Sequence, residues 1–358
     1  MIKVLLITDV NFWEKSSGHR MRISTLIKYL SSQVQLTVVN TGPAPENIEK
    51  VLSNSFKADF FVLEKTKYLS SNGYGRRLKA FLKGKTFDTI IIEYIHCSYF
   101  LNFLIDEAKI ILDAHDIMNE RYQEFKKYNY ADNLYEISRE TETEMFNAYD
   151  YVMVLCGPDY KKVNAMIDPG KTLLCPHPVT PCIHFTRDEV KNISFVASSY
   201  FPNSDAINFF IENCWPQISE KYPVNLTIYG AICNDLRLLN NERILLKGFV
   251  TDQNQIYNDT DIIINPVRFG AGLKIKNVEA LAHGLPLVTT THGARGIEAG
   301  INKAFLVADD TKEFIKSIES LIESAKLREK LSNNAHKFIE DNLSTEKCFK
   351  PLLEVINF

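Results

Sequence analysis

The stretch NPVRFGAGLKIKNVEALAHGLPLV, Asn265 to Val288, reads as strand, glycine loop, helix, glycine stop and strand. Gly270 and Gly272 let the backbone approach a ligand closely, and the helix that opens after them offers unpaired N–H groups at its positive end. Arg268, Lys274 and Lys276 add cationic donors around the same point, so a diphosphate is the natural guest and at least one of the three is expected to touch it. Glu279 falls two helical turns beyond Gly272 on the same face, where a carboxylate suits a ribose diol. A lone G-x-G step reads equally well as an ordinary strand-to-helix turn, and lone charges as a solvated helix end. Glycines, cations and an inward acid on one βα unit favour a ligand site.

Outward from this unit, short runs rich in Val, Ile and Leu alternate with stretches of helical period, the pattern of a parallel sheet covered by helices on both faces. The pattern occurs twice. The first series predicts strands at Ile2–Asp9, Val34–Asn40, Phe60–Leu63, Thr89–Tyr94, Ile110–Ala114 and Tyr151–Leu155. The second predicts Ile193–Ala197, Val224–Tyr229, Arg243–Gly248, Asp261–Asn265, Leu285–Thr289 and Ala304–Val307, with helices at Lys312–Ser324, Ala325–Asn342 and Thr345–Ile356 closing the chain. Between the series, Cys175-Pro176-His177-Pro178-Val179-Thr180-Pro181 reads as a linker, because its three prolines remove backbone donors and restrict their neighbours. The expected division is 1–180, 181–342 and a final helix, 343–358, that returns to the first domain. A single large α/β domain is the alternative. Two doubly wound domains would turn the C-terminal ends of their strands toward one cleft, which predicts a site there.

Composition narrows the class. The 358 residues carry a net charge of −3, with no basic surplus of the kind a nucleic-acid binder shows. Seven cysteines, odd in number and never spaced C-x-x-C, suggest neither a disulfide framework nor a zinc site and fit a reducing cytoplasm. The apolar run at Met1–Val10 is too short for a signal segment, and no later run has the length of a membrane span. A cytoplasmic protein is expected.

The order RFGAGLKIKNVEALAHGLPLVTTTHGARG, from Arg268 to Gly296, resembles the donor-binding signature of glycosyltransferase family 4. The resemblance implies the GT-B fold, an α/β architecture of two Rossmann-like domains facing a central cleft. It also implies transfer of a sugar from a nucleotide-sugar donor to an acceptor hydroxyl. The commoner family pattern has two glutamates seven residues apart; Glu279 matches the second, while Ala271 stands at the first, as in a subset reading R-x-G-x-G. Backbone amides of Gly270, Ala271, Gly272 and Leu273 would then serve the donor. The segment ISFVASSYFPN, Ile193 to Asn203, resembles the strand and loop that open the family's nucleotide domain, which makes Ser198 a donor contact, although an Arg often found there is absent. Leu246-Lys247-Gly248-Phe249-Val250 resembles the turn that holds the nucleobase through backbone contacts at Gly248 and Phe249.

In the first half, Asn11 to Arg22 forms a polar loop with Gly18 that runs into a helix of period Met21, Leu26, Leu30. By resemblance Gly18, with His19 or Arg20, approaches the donor phosphate and acceptor; a solvated surface loop is the competing reading. Ile110–Ala114 ends in His115-Asp116, and the family frequently carries a histidine at this strand end facing the transferred sugar, so His115 takes a catalytic place beside Gly18 and Lys274. Asp116 either fixes the imidazole's tautomer or caps the next helix, the cap being favoured. His96, His177, His184, His283, His292 and His336 have weaker context. Glu93 stands at the predicted cleft rim, an acceptor ligand or a solvated strand end.

Lys65–Tyr68 and Arg76–Lys85 are basic, with Leu78, Phe81 and Leu82 at helical spacing. An ordinary helix with one face in the core is favoured over one lying on anionic lipid at the inner membrane face, which would suit a lipid-linked or glycan acceptor. The resemblance implies retention of anomeric configuration. No acidic D-x-D pair stands at a strand end to hold a divalent ion, so no cofactor or metal is expected and Lys and Arg take that work. A UDP-sugar 2-epimerase and a non-catalytic GT-B-like binding subunit are the rival readings, and no first strand leads into the G-x-G-x-x-G of a nicotinamide dehydrogenase.

Overall fold

A computed structural model describes residues 1–14, 17–104, 107–132, 134–182, 187–236 and 241–357. Seven parallel strands form one sheet: β1 (Lys3–Thr8), β2 (Gln35–Asn40), β3 (Asp59–Val62), β4 (Thr89–Glu93), β5 (Lys109–Asp113), β6 (Tyr151–Val154) and β7 (Thr172–Leu174), in the order β3-β2-β1-β4-β5-β6-β7. Six more form a second: β8 (Asn192–Val196), β9 (Asn225–Tyr229), β10 (Ile244–Gly248), β11 (Ile262–Asn265), β12 (Leu287–Thr289) and β13 (Leu306–Val307), in the order β10-β9-β8-β11-β12-β13. Both sheets are therefore doubly wound. The order turns back between β1 and β4 in the first and between β8 and β11 in the second, the positions where such sheets open a crevice at their strand ends.

Continuous apolar strands follow from burial on two faces. Alternate residues of one strand enter opposite cores: Leu5 and Ile7, with Ile90 and Ile92, lie on one side of the first sheet, while Val4 and Leu6, with Ile91, lie on the other. The helix Gly18–Gln33 covers the second of these sides with Ile23, Leu26, Ile27 and Leu30, joined there by Phe349, Leu352 and Ile356 of the last helix. The basic helix Ser71–Leu82 covers the first side, burying Tyr74, Leu78 and Leu82, and Phe81 packs its ring on Phe61. Its apolar face is thus mostly spent in the core. Among the described residues no helix is long and apolar enough to cross a membrane.

The chain divides into two compact units, one of residues 1–122, 134–177 and 348–358, the other of 123–133 and 178–347. The stretch 123–133 comes from the first strand series in sequence, yet Phe125, Tyr128 and Tyr130 pack their rings against Phe269, and Tyr130 also stacks on Phe201. Two further details differ from the sequence reading. Thr172–Leu174 is a seventh strand, hidden by its three-residue length, and it pairs with β6. The linker is partly core: Cys175 and His177 are buried, and Arg22 donates to the Pro176 carbonyl at 2.9 Å. Burial, with Arg22 close by, pushes the His177 imidazole down to about 3.

Gly230, after β9, has φ 99°, and a Cβ there would lie 2.1 Å from the Ala197 carbonyl oxygen. Gly230→Ala is expected to cost about 3 kcal/mol or more through strain and overlap together. Urea unfolding reads this directly, and a loss under about 1 kcal/mol would contradict the close approach.

Candidate active site

The second unit's candidate residues gather at the C-terminal edge of its sheet. Ser198 follows β8, Gly248 and Phe249 end and follow β10, and the Arg268–Lys274 loop follows β11. Gly270 and Gly272 take φ of 113° and 66°, the left-handed region that a side chain resists, and Pro202 lies 3.4 Å from where a Gly270 Cβ would stand. The loop carbonyls are tied inward: Lys274 Nζ donates to Gly270, Ala271 and Gly272 at 3.3, 2.9 and 3.0 Å, and His292 Nε2 donates to Gly270 at 2.6 Å. With its carbonyls held, the loop leads straight into the first turn of the helix Ile275–Ala282, whose N-cap, Lys274, gives no side-chain cap.

Behind the loop lies a buried polar lattice. Asn265 donates to Asn277 at 2.8 Å, Asn277 donates to the Gly293 carbonyl at 2.9 Å and to Thr289 at 3.3 Å, and Thr289 donates back to the Asn265 carbonyl at 2.8 Å. It locks the ends of β11 and β12 to the helix. Asn277→Ala would leave Asn265 and Gly293 without these buried bonds, an expected loss of about 2–4 kcal/mol by denaturant titration. A loss below about 1 kcal/mol would show the lattice to be dispensable.

Three cations were expected at the anion site, and the structure gives them different partners. Exposed Arg268 is forked onto Asp205, with Nε–Oδ2 at 2.9 Å and Nη2–Oδ1 at 2.5 Å, and its guanidinium lies 4.9 Å from the Phe209 ring. Lys274 is folded over the loop. Lys276 donates to Asn203 Oδ1 at 2.7 Å above the Phe195 ring, and Asn203 in turn donates to the Ser198 carbonyl at 3.0 Å. Ser198 and Lys276 are thereby joined through Asn203. Burial, and then the charge of Lys274, bring the Lys276 ammonium down to about 7. An arriving phosphate would reverse this, since an adjacent anion favours the protonated form.

Glu279 accepts from Tyr257 Oη at 3.0 Å, and the Tyr257 ring stacks on His283 at 4.2 Å. Burial lifts the Glu279 carboxyl to about 7, the Tyr257 bond opposing it. At β10 the Gly248 N–H faces Cys233 Sγ at 3.4 Å and its carbonyl accepts from Gly230, so both groups expected for the nucleobase are engaged internally, while Phe249 projects with 58 % of its surface exposed. Leu273 is buried beside the loop.

In the first unit, Gly18 opens the helix Gly18–Gln33 at the β1 end, and the Ser17 side chain makes no cap bond. Lys15 and Ser16 of this loop, and His184, lie outside the described residues. His19 touches Ser17 Oγ through Nδ1 at 3.3 Å and meets the Tyr94 ring edge-on; burial, then the charges of His115 and Arg20, lower its imidazole to about 4. Arg20 pairs with Glu14 at 2.6 Å. Asp116 lies 3.7 Å from Arg121.

His115 is buried at the end of β5 with φ 58°, and its Nε2 lies 2.6 Å from Glu93 Oε2. Glu93 is not a rim residue. It is fully buried, and its carboxyl rises to about 7 through burial and the neighbouring Asp113, against the pull of His115. Two side-chain groups bring metal-ligand atoms within 4.8 Å among the described residues, Glu93–Asp113–His115 and Asp9–His96–Cys97. Arg22 already neutralises Asp113 at 3.3 Å in the first, and His96 is 2.8 Å from Asp9 in the second. The one D-x-D, Asp259-Thr260-Asp261, enters β11 at its other end, where Asp261 accepts from Arg187 and two backbone amides.

Sequence reasoning set His292 aside among the histidines of weaker context, and it missed Asn203 and the 123–133 stretch. His292 stands inside the Arg268–Gly296 signature, three residues beyond a strand end, which is the signal that could have found it.

A Klebsiella pneumoniae protein described as an uncharacterized 44.6 kDa protein in cps region is 22% identical over 396 residues, spanning 99% of this chain and 100% of its own. The Staphylococcus aureus capsular polysaccharide biosynthesis glycosyltransferase CapM is 27% identical over 150 residues, 39% of each chain. The crystal structure of Anabaena HepE in complex with UDP and glucose superposes with a TM-score of 0.73 at 12% identity, covering 100% of both chains. Residues 190–324, which include the whole loop and helix of the candidate site, match the family described as Glycosyl transferases group 1, and the chain as a whole has the GT-B fold of two Rossmann-like α/β domains.

Proposed function

We propose that the chain is a retaining, metal-independent hexosyltransferase of glycosyltransferase family 4 that moves a sugar from a nucleotide-sugar donor to an acceptor hydroxyl in surface polysaccharide or glycolipid synthesis. The observation that carries this is the βα unit Arg268–Glu279 at the turning point of the second sheet. Its glycines adopt positive φ, its N-cap residue gives no side-chain cap, and a desolvated carboxylate lies one turn in. Support for the chemistry comes from the glycosyl transferases group 1 match over 190–324 and from a relative named as a capsular polysaccharide glycosyltransferase.

In this reading the donor diphosphate sits on the amides of Gly270–Leu273 and the first helical turn, while Glu279 accepts from the ribose hydroxyls. Lys274 and Lys276 stabilise the charge that develops as the nucleotide leaves. Gly18 and His115 of the first unit serve the sugar and the acceptor, and the leaving phosphate takes the acceptor's proton, so no enzymic nucleophile is required. A lipid-linked acceptor would be met at the inner membrane face, with Arg76, Lys79 and Lys83 of the basic stretch toward the lipid.

The test is a panel of UDP-, GDP- and ADP-sugars with lipid-linked and free glycan acceptors, in buffer with and without EDTA, followed by NMR. Retained anomeric configuration and insensitivity to EDTA are expected. An inverted product, or loss of transfer with EDTA, would overturn the mechanism; nucleotide binding without any turnover would favour a binding subunit.

A further inference from the structure

β4 and β5 are paired so that Glu93 lies opposite Asp113, which puts two buried carboxylates side by side on one face. Two buried like charges need two cations or a proton. Arg22 supplies the first, with Nη2 3.3 Å from Asp113 Oδ2, and is itself fixed by the Pro176 carbonyl and the Phe349 ring. The second comes from the His115 ring, brought back over the strand ends by its left-handed backbone at φ 58°. Tyr94, with φ 65°, lays its ring on the imidazole at 4.1 Å and 9°, so the ring plane is held while Nε2 meets Glu93 at 2.6 Å. Two consecutive strand ends thus adopt conformations that non-glycine residues resist, and both serve one ring.

We propose that Glu93 is the positioning residue of His115: its carboxylate accepts the Nε2 proton and holds the ring in its protonated form, as a charged donor toward the substrate. This rests on the glycosyltransferase reading for the identity of that substrate. The titratable and charged groups around the ring are Glu93 and Tyr94 at β4, Asp113 and Asp116 at β5, His19, Arg20 and Arg22 on the helix Gly18–Gln33, and Arg121 on the helix Met118–Lys127. Burial opposes a charge on His115, but Asp113 and then Glu93 outweigh it and leave its imidazole raised, whereas His19 and His292 fall to about 4 and His177 to about 3. Glu93 and His115 are coupled through this contact, so the protons of the pair come off in steps that belong to both groups.

The test is histidine-selective 15N NMR of the full chain, combined with transfer kinetics. In the wild type, His115 is expected to titrate above the free imidazole value of about 6.5 and above His19, His177 and His292, with Nε2 bearing the proton. In Glu93→Gln its proton affinity should drop about tenfold or more. Transfer kcat should fall about ten- to a hundredfold, with the alkaline limb of its pH profile displaced downward and nucleoside diphosphate Kd within about twofold of wild type. Glu93→Asp, which keeps the charge, should restore part of the titration. A His115 titration unmoved in Glu93→Gln, or an unchanged pH profile, overturns the proposal. Should Glu93→Gln fail to fold, the wild-type titration decides, and a His115 that titrates with or below His19 overturns it. A displaced titration in a chain that transfers no sugar supports the pair and counts against the transferase reading alone.

Discussion

Replacing Glu279 with alanine is expected to weaken nucleotide binding about a hundredfold. Among the described residues the carboxylate accepts one side-chain bond, from Tyr257, and it is desolvated enough to rise to about 7. Donors arriving from a ribose diol would restore what burial removed. Hydrogen bonds to a charged acceptor contribute about 1.5–3 kcal/mol each, and two such bonds, discounted for the residue's partial exposure, leave about 2.7 kcal/mol, which is about a hundredfold in Kd. Calorimetric titration with the cognate nucleoside diphosphate measures it. A weakening under threefold would remove Glu279 from the nucleotide site. The same change leaves the Tyr257 hydroxyl unpaired, at about 1–2 kcal/mol of stability, so a melting curve must accompany the titration.

His115→Ala is expected to lower transfer kcat about a hundred- to a thousandfold while leaving nucleotide Kd within about twofold. The two sites belong to different sheets, and the Glu93–His115 contact has no member in the Arg268–Glu279 unit. Alanine also strands the Glu93 carboxylate without a partner in a fully buried position and sits poorly at φ 58°. His115→Asn is the gentler control, because asparagine tolerates the left-handed region. Comparable losses of nucleotide binding in His115→Asn and Glu279→Ala would contradict the division of roles between the units.

Much of this was legible in the chain. The apolar runs Lys3–Thr8 and Thr89–Glu93 announce buried parallel strands because both of their faces lie in core, and the positive φ of Gly270 and Gly272 follows from a strand-to-helix turn that only glycine makes cheaply. What was not legible depends on contacts between residues distant in sequence. Nothing local shows that Arg268 would be taken by Asp205, 63 residues earlier, or that Lys276 would reach Asn203, 73 residues earlier. Glu93 looked like a strand-end acid; only the register that sets β4 against β5 shows that it is buried and bound to His115. The Phe125, Tyr128 and Tyr130 rings belong with Phe269 for the same reason, since an apolar side chain carries no record of which core it will enter. Thr172–Leu174 escaped notice because three residues are too few for a period to register.

The central claim is that the unit from Arg268 to Glu279 binds a nucleotide sugar by its diphosphate and ribose. Calorimetric titration of the intact chain with UDP-, GDP- and ADP-sugars, each repeated on Glu279→Ala, tests it most directly. The account predicts one site for at least one of these donors, with Kd between about 1 µM and 1 mM and binding largely lost in the variant. Absence of binding by every donor, or equal binding by wild type and variant, would contradict it.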